Sequence, residues 1–177
     1  PRGEGVVFTD TISGGVVPKQ YIPSVEEGVK AYCQRGPLGF PVVDVKVTLT
    51  DGSYHTVDSS DMAFQQAARI GMTEAMPKAR PVLLEPVLSV EILTPSEGMS
   101  RATAMVTARR GQILGLGQHP DWDQWEVVEA QLPEAGLHGL DAELRSLSQG
   151  LATYVARYDH LAELTGRLAD EVVKAAA

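Results

Sequence analysis

The residues with the chemistry of a reaction centre stand close together between positions 55 and 60: His55, Asp58, Ser59 and Ser60. An imidazole, a carboxylate and two hydroxyls are the parts of an acyl-transfer triad. That chemistry needs the imidazole between nucleophile and carboxylate. Residues three to five apart where a turn runs into a helix do not reach that arrangement, so helix capping beside an exposed histidine is the simpler reading. His119, Asp121 and Asp123 could hold a weak surface ion, but a polar turn around Pro120 is the simpler reading. The four histidines and the single cysteine are otherwise scattered, without the paired spacing of a metal site. Gly111-Gln-Ile-Leu-Gly115-Leu-Gly117 is glycine-rich but lacks the Lys-Ser/Thr that completes a phosphate-wrapping loop, and it reads as a strand edge. Arg109-Arg110 ends a predicted helix, where it complements the helix dipole or meets an RNA phosphate. No catalytic residue, metal ligand or cofactor site is assigned from these groups.

Composition narrows the class of partner. The chain has 177 residues, with 44% hydrophobic and 21% charged, enough for one or two small globular domains. Its net charge is -8. Residues 1–79 hold seven Lys/Arg and nine Asp/Glu, and residues 80–177 hold eight and fourteen. Non-specific coating of nucleic acid requires dense positive charge, so any RNA contact must be local and set by shape, and DNA is not an expected partner. Cys33 cannot pair within the chain, which suits a reducing compartment and a small buried hydrophobe. No apolar run approaches the roughly 18 residues of a membrane span. The start at Pro1-Arg2-Gly3 lacks both an initiator methionine and a signal-peptide pattern, and is read as a cut from something longer.

The elements that must carry these residues follow from periodicity. Gly5 to Ile12 reads as a strand, and a helix follows from about Ile22 with Val25, Val29, Tyr32 and Cys33 on one face. Arg35 to Pro41 is a stiff connector. Val43, Val45, Val47 and Leu49 alternate with Asp44, Lys46, Thr48 and Thr50 in the clearest strand pattern. Asp51-Gly52 signals a type I′ hairpin. Ser59, Ser60 and Asp61 cap a helix running to about Met76, whose Ala67, Ala68, Gly71 and Ala75 form a small-residue stripe suited to close approach. Prolines and charge between Pro77 and Pro81 mark a domain boundary. The second half reads strand, helix, strand, strand, helix, strand. Thr94-Pro95-Ser96-Glu97 is a candidate capping box, Leu137, Leu140, Leu144 and Leu147 form a helical stripe, and Leu151 to Tyr158 is the last strand. This order is the split βαβ, ferredoxin-like pattern. A final helix is expected over about residues 160–176, carrying Leu161, Leu164, Leu168 and Val172 on one stripe. The fold class is α+β.

Two loops gain meaning only as a pair. If the helices starting near Ile22 and Ser60 lie side by side on one sheet, the loops before them emerge at one end. Gly14, Gly15, Val16, Val17, Pro18, Lys19 and Gln20 would then stand beside Ser53, Tyr54 and His55. That surface is nearly neutral and rich in hydrogen-bonding groups, a shape able to meet RNA backbone and 2′-hydroxyls. The residues alone favour ordinary connecting loops.

The runs GGVVPKQYIP (14–23), GFPVVDVKVTLTDGSYHTVDSSDMAF (39–64) and RPVLLEPV (80–87), with Arg109-Arg110-Gly111, resemble the C-terminal part of bacterial elongation factor G. The resemblance covers nearly the whole chain. It implies that family's fourth domain over residues 1–79, similar to a ribosomal protein S5 domain 2 and lacking its first strand. It implies the fifth, ferredoxin-like domain over 80–160, and a C-terminal helix over 161–177 that packs back toward the fourth domain. The implied function is translocation of tRNA and mRNA. The two loops would be the tip that meets the ribosome and tRNA, with His55 matching the family's tip histidine and Arg109 and Arg110 matching a basic segment that meets rRNA. GTP and Mg would belong to a preceding domain of a cytoplasmic, non-membrane parent, and this part would be monomeric. Met99 to Val106, Gly150-Leu151-Ala152 and a connector one residue short before Phe40 depart from the family pattern. These departures admit a divergent paralogue with a regulatory or interaction role.

Overall fold

The computed structural model describes residues 1–177. The chain divides into two compact units, residues 1–83 with 165–177, and residues 84–164.

The first unit begins with β1 (Val6–Asp10), followed by α1 (Ile22–Cys33), β2 (Val45–Leu49) and α2 (Asp61–Lys78). β1 and β2 pair in parallel, with Val6 opposite Val45 and Asp10 opposite Leu49. A parallel pair needs a crossover of a dozen or more residues, and α1 supplies it. The turn expected at Asp51-Gly52 therefore does not close a hairpin: β2 finds its partner in β1, far back in the chain, and the segment after Leu49 runs on to α2. Strand alternation starts only at Val45. Asp44 adopts a left-handed backbone (φ 56°), which ends the outward pattern assigned to it. Its carboxylate turns inward and accepts hydrogen bonds from the Gly3 and Gly5 amides at 2.9 and 3.3 Å, fastening the N-terminal segment.

Val29 and Cys33 of α1 and Met72 and Met76 of α2 form the buried centre of this unit, with Phe8 and Val47 packed on it from the sheet. The expected small-residue stripe is not the contact. Ala67, Gly71 and Ala75 face outward, and only Ala68 of that set meets the core. Close approach comes from Gly28 of α1 instead. A Cβ there would lie 2.4 Å from the Gln65 carbonyl oxygen and 2.8 Å from the Ala68 Cβ. Burial raises the Cys33 thiol above its ordinary range, which keeps it neutral and unreactive, as a packed hydrophobe should be.

The second unit contains β3 (Leu83–Pro95, beginning at the last residue of the first unit), α3 (Met99–Ala108), β4 (Gln112–Gln118), β5 (Trp125–Pro133), α4 (Leu140–Leu147) and β6 (Thr153–Leu164). The sheet order is β4-β5-β3-β6, and β5 runs antiparallel to both β3 and β4. That connectivity is the ferredoxin-like plait. Ile92 on β3, Val128 and Leu132 on β5, Val106 on α3, and Leu140 and Leu144 on α4 are fully buried together. Each such aliphatic side chain contributes about 1.5–3 kcal/mol on burial.

Two local expectations give way here. Thr94 does not cap α3; it lies buried within β3, and a short 3₁₀ turn at Ser96–Gly98 intervenes before the helix. The reason is steric. Thr94 Oγ1 would stand 2.6 Å from any Cβ at Gly98, so the threonine fills the space under the turn rather than reaching an amide. The final strand also continues to Leu164, so the last helix, α5, spans only Gly166–Ala176. Leu161 and Leu164, expected on a helical stripe, are strand residues. Gly166 (φ 70°) provides the left-handed step from strand to helix. α5 belongs to the first unit, where Arg35 donates to the Ala176 carbonyl at 3.2 Å and Ala176 lies under Gly39.

Gly28→Ala should destabilise the first unit by about 1–3 kcal/mol, because its new methyl meets backbone that cannot move aside. Gly71→Ala, in open space on α2, should stabilise by up to about 1 kcal/mol through helix propensity. Urea titration of the two variants checks the opposite signs. Iodoacetamide should label Cys33 slowly at neutral pH. The raised thiol means that the rate rises only above the ordinary thiol range or on unfolding, which a pH series in native and denaturing buffer would show.

Candidate nucleic-acid interface

Because β1 and β2 are parallel, both chain segments leave the sheet at the same end, from Asp10 and from Leu49. The carboxyl ends of parallel strands are where α/β folds place their ligands. The Thr11 amide donates to the Leu49 carbonyl at 2.9 Å, so the two segments start out joined. The first loop, residues 11–18, passes through a short 3₁₀ turn (Lys19–Tyr21) into α1, and the second, residues 50–60, enters α2.

Three contacts hold these loops together. Val17 is only 2% exposed, and its Cγ2 occupies the place a Cβ would take at Gly52, 2.5 Å away. The Tyr21 ring stacks on Phe64 with centroids 4.7 Å apart, and meets Tyr54 at 5.9 Å. Ser24 of α1 donates to the Asp61 carboxylate of α2 at 2.7 Å, tying the starts of the two helices. Ser60 accepts from the Ala63 amide and caps α2, as the sequence predicts. Two adjacent helix N-termini thus lie beneath the loops, a weakly positive end suited to an anion.

The structure joins the two loops through Val17 against Gly52 and Tyr21 against Tyr54, and the loop residues singled out by sequence do not share one role. Gly14 and Gly15 are exposed and left-handed (φ 67° and 69°), which lets the first loop fold back on itself. Val16, Lys19, Gln20, Ser53, Tyr54 and His55 are exposed, and Pro18 is half-buried. Val17 is the correction: it is an internal anchor and presents no surface to a ligand. His55 makes its bonds through the backbone, its amide donating to Ser59 Oγ at 3.0 Å and its carbonyl accepting from the Ser59 amide at 3.1 Å. The imidazole bonds to neither Asp58 nor a serine, so the parts of a triad are adjacent in sequence without being assembled. Val57, not among the residues expected in the loops, is 90% exposed. Its signal was a lone aliphatic residue in the polar run from His55 to Ser60. The Tyr21–Phe64 stack was also missed, because it joins residues far apart in the chain.

The remaining candidates lie in the second unit. Arg109 donates to the carbonyls of Gly136 and His138 at 2.9 and 2.8 Å and pairs with Glu143. Arg110 grips Glu85 with two hydrogen bonds of 2.9 and 2.8 Å. Hydrogen bonding to Glu85 holds this guanidinium still more firmly protonated. Both arginines therefore fasten α3 to its neighbours, beyond the dipole role expected of them. His119 Nδ1 accepts from the Asp121 amide at 3.2 Å, and its ring stacks on Trp122. Gly115 and Gly117 lie within β4, paired with Glu129 and Val127, so the glycine run is sheet and not a phosphate loop.

The profile described as "Elongation factor G, domain IV" matches residues 1–80, and that described as "Elongation factor G C-terminus" matches residues 82–172. The chain belongs to the elongation factor G family. It is 55% identical over 168 residues to an "Elongation factor G-like protein" of Synechocystis sp., covering 95% of this chain and 25% of that protein. It is 46% identical over 174 residues to the elongation factor G of Aquifex pyrophilus, covering 98% of this chain and 24% of that one. A crystal structure of a Thermus thermophilus protein superposes with a TM-score of 0.85 at 38% identity, over 98% of this chain and 26% of that chain. The chain therefore spans about a quarter of the length of the relatives it matches. Its two α/β units carry the α+β fold of that family's domain IV and C-terminal region. No helix is long and apolar enough to cross a membrane.

Gly52→Val should expel Val17 and loosen both loops together, at a cost of roughly 1–3 kcal/mol. Amide hydrogen exchange should speed up in residues 13–20 and 51–58 alike. A response confined to the second loop would show that the loops are not coupled.

Proposed function

We propose that this chain is the ribosome-binding C-terminal portion of a longer translation factor that promotes movement of tRNA and mRNA. The observation that carries the proposal is the contact of Val17 with Gly52, which sets the two exposed loops side by side as one surface. Those loops carry a single lysine, Lys19, against two aspartates, Asp51 and Asp58. Its affinity for RNA comes from shape, from hydrogen bonds to backbone and 2′-hydroxyls, and from the helix N-termini beneath, with weak salt dependence. Gly14, Gly15, Gln20, Ser53, Tyr54 and His55 supply the polar and aromatic contacts, and Val57 an apolar one. Arg109 and Arg110 enter as supports of the second unit, since internal partners occupy their donors. GTP hydrolysis, with its Mg ion, belongs to the part of the protein outside this chain; no residue here forms a phosphate loop. The protein acts in the cytoplasm, where ribosomes work.

In the full-length protein, His55→Ala, and separately deletion of Gly14-Gly15, should each slow tRNA translocation by roughly tenfold, the effect of losing about 1.4 kcal/mol of transition-state contact. Normal rates in both variants would overturn the assignment. A second reading, an interaction module without translocation activity, is favoured by the greater identity to a protein named only as elongation factor G-like and by the acidic second unit. Ribosome co-sedimentation of the full-length protein with a non-hydrolysable GTP analogue separates the two: failure to pellet supports this second reading.

A further inference from the structure

Both tryptophans of the chain lie at one end of the β4–β5 hairpin, in a sequence with only 6% aromatic residues. The His119 ring stacks on Trp122 at 4.6 Å, and Trp122 meets Trp125 edge-on at 5.4 Å and 71°. Trp122 nevertheless remains 49% exposed. The turn that presents it is rigidly held. The His119 amide donates to the Trp125 carbonyl at 2.7 Å, the Asp121 amide to His119 Nδ1 at 3.2 Å, and the Ser96 amide to the Gln124 carbonyl at 2.8 Å. An indole fixed on one side by imidazole and left half open is preorganised, so a ligand that stacks on it does so with little loss of side-chain freedom.

The charge around it has one sign. Residues 112–134 hold Asp121, Asp123, Glu126, Glu129 and Glu134 and contain no lysine or arginine. Glu126 accepts from Ser96 Oγ at 2.9 Å. Asp121 and Asp123, on either side of Trp122, are exposed, and neither side chain enters an ion pair or hydrogen bond. The unit as a whole, residues 84–164, carries five arginines against twelve Asp/Glu, and Arg109, Arg110 and Arg145 are each paired with a carboxylate. RNA phosphate is repelled by such a field. A guanidinium is attracted by it, and it can also stack flat on an indole face.

We propose that this hairpin end is a docking point for an arginine-bearing, basic polypeptide segment of a protein partner. The guanidinium lies against Trp122, and Asp121 and Asp123 meet the positive charge. The site is distinct from the two loops of the first unit and does not depend on their binding RNA. Neither the sheet nor the core requires Trp122 to be exposed.

The test is fluorescence anisotropy of a fluorescein-labelled peptide of alternating arginine and glycine, titrated with the 177-residue chain at about 0.1 M salt. Saturable binding is expected. Trp122→Ala should weaken it by about tenfold, the scale of a desolvated cation–π contact. Asp121→Asn with Asp123→Asn should weaken it comparably while leaving the hairpin packing in place. Glu91→Gln with Asp141→Asn removes the same charge from exposed positions outside the hairpin, and should change affinity by no more than about twofold. No binding by the unaltered chain, equal losses in the two charge-matched double variants, or binding of an oligouridylate probe in preference to the peptide would each overturn the proposal.

Discussion

The candidate interface rests on one steric fit: the Val17 side chain in the space that only glycine leaves at position 52. Parallel pairing of β1 and β2 brings two loops to the same end of the sheet, but it does not make them one surface. Burial of Val17 does that, with Tyr21, stacked on Phe64 and in tilted contact with Tyr54, as a second clamp. Valine is stiff about χ1, so the fit has few alternative packings. Gly14 and Gly15 can then be left-handed and exposed without the loop losing its position.

A similar device sets the helices. Gly28 lets α1 approach the backbone of α2 at Gln65, and Ser24 bonds Asp61 where the helices begin. The helix starts are thereby fixed beneath the loops, and their dipoles add attraction for anions without lysine or arginine. An interface of this kind discriminates by geometry more than by charge. It suits a chain whose net charge is -8 and which would otherwise be repelled from RNA.

The second unit uses its charges differently. Arg109 and Arg110 are held by carbonyls and by Glu143 and Glu85, which secures the end of α3 against β3 and α4. With these cations engaged, the acidic groups on the β4–β5 hairpin dominate the local field. The two units thus present opposite chemistries: a nearly neutral pair of glycine-bearing loops, and an acidic hairpin end crowned by an indole.

Much of this was legible in the residues. The alternation of Val45, Val47 and Leu49, the leucine stripe of α4, the cap at Ser60 and the order of elements in the second unit are local patterns, and burial obeys them. What failed was the reading of short signals with competing tertiary uses. Asp51-Gly52 looks like a hairpin because glycine tolerates a turn, yet the glycine is needed to admit Val17. Thr94-Pro95-Ser96-Glu97 looks like a cap, yet Thr94 fills a space under Gly98. Leu161 and Leu164 fit a helical spacing, yet β6 extends through them. The amino-acid order by itself determined the order of strands and helices and most of their apolar faces, since those follow from backbone propensity and periodicity. Only the tertiary structure decided that Val17 is an anchor, that Arg110 belongs to Glu85, and that Trp122 is held open by His119. These are contacts between segments, and their energies depend on distances that no local pattern encodes.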